Sequence, residues 1–184
     1  MPYDLSRLDL LLVEPDSSMQ ATWRSLLNGL GIRRPLCVPG AAQAWVALAD
    51  NAGDEGRDGK ISRGKIDAMV CRWELPGPED GENDGLALAR RLRRDPASPN
   101  PFLPIILATA TVTRERVRVA LDAGVNEILV LPPSAKALEA RLREIIERPR
   151  KFVRGEGYFG PDRRRQVRAD HAGPFRRSED RRKG

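Results

Sequence analysis

A chain of 184 residues fits one core of ordinary domain size, about 100 to 150 residues, with an appendage. Its charge is unevenly spread: residues 1–147 carry 19 Lys/Arg against 21 Asp/Glu, and residues 148–184 carry 13 against 5, so the high pI belongs to the tail. No apolar run approaches the roughly 20 residues of a bilayer span, and the N-terminus MPYDLSRLDL lacks a basic region followed by an apolar one, which leaves a cytoplasmic protein without a membrane span as the expectation.

Residues 8–13, LDLLLV, form a nearly uninterrupted apolar run, the pattern of a strand covered on both faces, and stop at Glu14-Pro15-Asp16. Met19, Trp23, Leu26, Leu27 and Leu30 then recur at helical spacing, with Trp23 placed in the core and Gly29 or Gly31 available to end the helix. Residues 35–38 read as a brief second strand, and residues 41–50 as an alanine-rich helix carrying Trp45 and Leu48 inward. Residues 51–65, with four glycines and many charges, read as a long surface loop.

The next apolar run, residues 66–71, ends abruptly in Arg72-Trp73-Glu74 before a Pro-Gly turn. A second polar, glycine-rich excursion covers residues 77–84. A third helix starts at Gly85, with Leu86, Leu88, Ala89 and Leu92 facing inward, and closes at Asp95-Pro96. Residues 102–108, FLPIILA, read as a fourth strand, followed by a helix from about Thr113 to Ala123 that Gly124 terminates. Residues 127–131, EILVL, are the fifth strand, and Pro132-Pro133-Ser134 leads into a helix over residues 135–147. Cys37 and Cys71 fall within apolar runs, where a reduced thiol acts as a small hydrophobe.

Strand and helix alternate five times. Such alternation implies right-handed crossovers and an α/β doubly wound five-stranded parallel sheet, a three-layer sandwich of about 140 residues. Its ligands collect at the carboxyl ends of the strands, which here carry Glu14-Pro15-Asp16, Arg72, Thr109-Ala110 and Leu131-Pro132.

Four strings in this order, LLVEPDSSM, VCRWELPGPEDGENDG, LPIILATAT and DAGVNEILVLPP, resemble the receiver domain of two-component response regulators, the flavodoxin-like fold of the chemotaxis regulator. The resemblance covers roughly residues 8–147. It implies a phosphorelay-type signalling protein with a receiver-like domain over residues 1–148 that docks a protein partner through its last helix-strand-helix face; with neither a nucleophile beside a base nor a metal cluster in the sequence, no enzyme is expected.

The departures from that family concern its chemistry. Its third strand ends in an aspartate that accepts phosphate, and the matching residue here is Arg72, a guanidinium that cannot attack phosphorus. Its acidic pair binds Mg²⁺; Glu14 matches the first acid, Pro15 replaces the second, and Asp16 lies one residue too late, so the Mg²⁺ site is expected to be defective and no cofactor is assigned. Leu131 matches the family's phosphate-pairing lysine. Thr109 matches the switch hydroxyl, which without a phosphoryl group has no oxygen to follow, and Ile128 stands where an aromatic is common. The resemblance thus implies a degenerate pseudo-receiver.

We expect Arg72 to pair with Glu14, sharing Asp16, and to take over the neutralising task of Mg²⁺; the competing reading points Arg72 into solvent. Glu74, two beyond Arg72, reads as a solvated charge at the pocket edge, and Leu131-Pro132 matches a cis X-Pro bond of the family.

Residues 149–184 read as an Arg-rich flexible tail without a core of its own. Gly160-Pro161 and Gly173-Pro174 each precede one residue and two arginines, a duplicated Gly-Pro-x-Arg-Arg element. Arg163, Arg164, Arg165, Arg176, Arg177, Arg181 and Arg182 are its candidate binding residues, for an acidic protein surface, nucleic acid or anionic lipid, with a solvated extension as the plain alternative. His171 stands alone and is assigned no metal. Three functions compete: a phosphorylation-independent protein-interaction module, a receiver phosphorylated at another acid such as Asp16, Asp80 or Asp84, and a nucleic-acid-binding regulator whose body serves homodimerisation.

Overall fold

A computed structural model of the protein describes residues 3–52, 66–76 and 84–163. Strands β1 (Leu10–Val13), β2 (Leu36–Val38), β3 (Ala68–Arg72), β4 (Ile105–Thr109) and β5 (Glu127–Val130) form one parallel sheet in the order β2-β1-β3-β4-β5. Between and after them run α1 (Ser17–Gly29), α2 (Ala41–Asp50), α3 (Gly85–Arg94), α4 (Arg114–Asp122) and α5 (Ala135–Glu147). This is the doubly wound sandwich expected from the alternation, in the flavodoxin-like form that the resemblance implied.

Strand side chains alternate between two cores. Leu10, Leu12, Ala68, Val70, Ile106 and Leu129 pack with Trp23 and Leu27 of α1 and Leu138 and Leu142 of α5. Leu11, Val13, Met69, Cys71, Ile105 and Leu107 face Leu48 of α2, Leu86, Leu88, Ala89 and Leu92 of α3, and Ala120 of α4. The expected inward residues of α3 are therefore all buried, and burial pushes the Cys71 thiol up in pKa, consistent with a packing role.

Local chemistry shortens several predicted elements. β1 begins at Leu10 because Leu5–Arg7 forms a 3₁₀ turn, capped by Asp4, that buries Leu5 and Leu8. β4 begins after Pro104 rather than at Phe102, since Pro101 and Pro104 have no N–H for a ladder. The Leu131–Pro132 bond is cis, as the resemblance implied. Of the loops assigned to residues 51–65 and 77–84, residues 53–65 and 77–83 lie outside the described residues.

The boundary at residue 149 needs correction. β6 (Phe152–Gly155) and β7 (Tyr158–Pro161) pair antiparallel as a hairpin, turned at Gly157 with φ +69°. The hairpin docks on the body through a cluster of Phe102, Phe152 and Phe159, whose ring centroids lie 5.1–5.6 Å apart. Gly160 lies so close to Gly124 that a Cβ on it would stand 2.8 Å from the Gly124 Cα. Apolar residues are sparse here, yet the hairpin needs no core of its own because it borrows Phe102 and the α3 and α4 ends. The duplicated motif's first copy thus lies in a strand; its second copy is outside the described residues.

Beside the hairpin, Arg93 is buried and has no carboxylate partner among the described residues. Its guanidinium donates to the carbonyls of Gly124, Pro101 and Leu103 at 3.0, 2.8 and 2.7 Å and to Asn126 Oδ1 at 3.2 Å. Burial pushes its pKa down to about 9, and these neutral acceptors solvate the buried charge.

Candidate functional site

The carboxyl ends of β1, β3 and β4 converge because these strands are neighbours in the sheet. Glu14 leaves β1 and is 1% exposed. Its Oε1 accepts from the Asp16 N–H at 3.1 Å and its Oε2 from Trp23 Nε1 at 3.3 Å. Arg72, the last residue of β3, brings Nη1 to 3.5 Å from Glu14 Oε1 with its side chain 25% exposed, so the expected ion pair forms and the solvent-directed alternative does not. Close packing supports that position. Gly85 opens α3 so near to β3 that a Cβ would lie 2.2 Å from the Arg72 carbonyl oxygen.

Asp16 does not share the pair. Its carboxylate caps α1, accepting from the Met19 N–H at 2.7 Å, and an N-cap position turns it away from the strand end. Leu131 is also elsewhere: it is buried among the apolar residues of the α1 and α5 layer, while Pro132 is exposed.

Glu74 is not a free surface charge. Its Oε1 accepts from the Thr109 hydroxyl at 2.8 Å and from Arg116 Nη2 at 2.6 Å, and its Oε2 lies 3.7 Å from Arg72 Nε. Thr109, fully buried at the end of β4, also accepts from the Thr111 N–H at 3.2 Å. The switch hydroxyl therefore has an oxygen to bond after all, supplied by a side chain of the same chain. Partial burial alone would raise the Glu74 pKa; the bonds from Thr109 and Arg116 outweigh it and hold the carboxyl below the ordinary range.

Arg116 and Trp73 were not singled out in the sequence. Arg116 is held over the Trp73 ring, 4.1 Å from its centroid, on the first turns of α4, which Thr113 caps. Its only sequence signal is position: the third residue after a capping threonine that follows the switch strand. Two guanidiniums and two carboxylates thus alternate across the strand ends, Arg116–Glu74–Arg72–Glu14.

No family model matches the chain. The chain is 28% identical over 141 residues to the chemotaxis protein CheY-3 of Vibrio cholerae, covering 77% of this chain and 93% of that protein. It is 29% identical over 139 residues to the chemotaxis protein CheY1 of Helicobacter pylori, covering 76% and 97%. A crystal structure of a protein assigned as a response regulator from Chloroflexus aurantiacus superposes with a TM-score of 0.60 at 25% identity, over 77% of this chain and 98% of that one. The body carries a response-regulator-like receiver domain.

At the opposite end of this receiver domain's sheet, Arg163 pairs with Asp122 of α4 and stacks 3.7 Å from the Tyr158 ring centroid, so the first of the seven tail arginines is engaged with the body. Arg164, Arg165, Arg176, Arg177, Arg181 and Arg182 lie outside the described residues, as does Asp80. Among the described residues no three His, Cys, Asp or Glu side chains gather as a metal site, and no helix is long and apolar enough to cross a membrane.

Proposed function

We propose that the protein is a pseudo-receiver: a receiver-like signalling module of the two-component type that binds its protein partner without being phosphorylated. The observation that carries this reading is Arg72 at the end of β3, paired with Glu14. A nucleophile at this point must offer an anionic oxygen, and a permanently protonated guanidinium has none.

The Mg²⁺ that the family implies does not fit the residues present. Both Glu14 oxygens already accept hydrogen bonds, the neighbouring Pro15 has no side-chain oxygen, and a guanidinium stands 3.5 Å from the Glu14 carboxylate. A hard dication needs several oxygen ligands, and it would have to displace a cation that already neutralises Glu14. Phosphorylation at another acid is disfavoured by geometry. Asp16 and Asp84 both cap helices, accepting from the Met19 and Ala87 N–H groups at 2.7 and 2.6 Å, and esterifying either would cost the cap.

In a responsive receiver the switch hydroxyl would change partner with the phosphoryl group. Here Glu74 holds Thr109 and Arg116 together, tying the end of β4 to α4. The α4-side surface, with Val112 and Val130 45% and 54% exposed, is accordingly presented to a partner without a phosphoryl group.

Titration with Mg²⁺ and beryllofluoride tests this by NMR. No saturable shift that requires both additives is expected at the amide signals of Glu14, Arg72 and Thr109; saturable shifts that require both would overturn the proposal.

A further inference from the structure

We propose that the ends of β3 and β4 and the first turns of α4 form a metal-free binding site for a tetrahedral oxoanion, in which Glu74 is an internal occupant displaced when the anion enters. The inference rests on the pseudo-receiver reading above, since it takes Arg72 as a fixed cation of the pocket.

Three donors converge on Glu74, and the carboxylate satisfies only two. Thr109 Oγ1 and Arg116 Nη2 both bond the same oxygen, Oε1, at 2.8 and 2.6 Å. Oε2 lies 3.7 Å from Arg72 Nε, beyond hydrogen-bond length. That Nε is the single buried side-chain nitrogen or oxygen among the described residues with no hydrogen-bond partner. Buried donors are almost always satisfied, so an orphan aimed at an occupied site marks a ligand the occupant imitates imperfectly.

Shape and charge identify that ligand. The planar carboxylate puts its first oxygen on two donors and leaves its second 3.7 Å from the third. A tetrahedral oxoanion has a separate oxygen for each of Thr109, Arg116 and Arg72, and guanidinium groups favour such anions. Once Glu74 rotates out, the two guanidiniums keep one ion-pair partner among the described residues, Glu14, and an incoming anion restores the balance. Glu74 has room to leave, because its side chain is 45% exposed.

A tethered carboxylate competes at an effective concentration on the order of millimolar or higher. Wild-type protein should therefore bind weakly, and Glu74→Ala should bind at least about tenfold more tightly, a difference of about 1.4 kcal/mol.

The test is a titration with inorganic phosphate in EDTA, read by NMR at the Arg72 Nε–H signal and the Thr109 and Thr111 amides. Expected are saturable, dialysis-reversible shifts in wild type, tighter binding in Glu74→Ala and in Glu74→Gln, and loss of binding when Thr109→Val is added. Acetate, planar like Glu74, should give no saturable shift at the Arg72 signal. Absence of saturable phosphate shifts in wild type and both Glu74 variants, equal response to acetate, or an affinity unchanged by removing Glu74 would overturn the oxoanion site. A covalent adduct requiring Mg²⁺ would instead overturn the pseudo-receiver reading, so the two failures are distinct.

Discussion

The Arg72 guanidinium reaches to 3.5 Å from a Glu14 carboxylate that is almost wholly withdrawn from solvent. A buried carboxylate left without its cation is costly, so Arg72→Ala is expected to lower stability by about 3 kcal/mol, the low end for a broken buried pair because this arginine is partly exposed and Trp23 still bonds Glu14. The double variant Arg72→Met/Glu14→Gln should recover much of the loss. Urea unfolding of the single and double variants measures both.

Glu74 sets a pH dependence with a definite sign. Its carboxyl is held below the ordinary range in the folded chain, so the bonds to Thr109 and Arg116 stabilise the fold fully above the unfolded-state pKa and lose that contribution as pH falls through the lower folded value. Wild type should therefore lose stability on acidification more steeply than Glu74→Gln. Exposure of the group keeps the difference small. Thermal unfolding at a series of pH values checks it; parallel curves would rule the linkage out.

The β6–β7 hairpin belongs to the folded domain. Gly160→Ala would place a Cβ 2.7 Å from the Tyr158 hydroxyl and 2.8 Å from the Gly124 Cα, and backbone at such a contact cannot move aside cheaply. Overpacking of this kind costs about 1–3 kcal/mol. Hydrogen exchange should show the variant losing protection at Val153 and Phe159 and around Phe102, while β1 and β3 keep theirs.

How far the sequence could be read depended on whether a contact was local. The strands announced themselves because β1, β3 and β4 are buried on both faces and so are apolar without interruption, and Arg72 was identifiable because it ends such a run. Glu74 was misread as solvated because its partners come from 35 and 42 residues away, beyond the reach of any pattern around it. The hairpin was missed for the same reason: Phe102 and Phe152 are 50 positions apart, and neither segment alone holds enough apolar surface to pack. Arg93 was legible in principle. It falls four residues after Ala89 and seven after Leu86, on the buried face of α3, although Arg90, Arg91 and Arg94 beside it give the stretch a basic composition.

Exposure to acetyl phosphate with Mg²⁺, followed by intact-mass measurement and peptide mapping, addresses the role of Arg72 most directly. Wild type should return at its unmodified mass, and so should Arg72→Asp, because Pro15 and Leu131 still withhold the other groups that phosphoryl transfer needs. A phosphoryl adduct on the wild-type chain, mapped to a carboxylate beside the end of β3, would contradict the assignment of this pocket to a fixed ion pair.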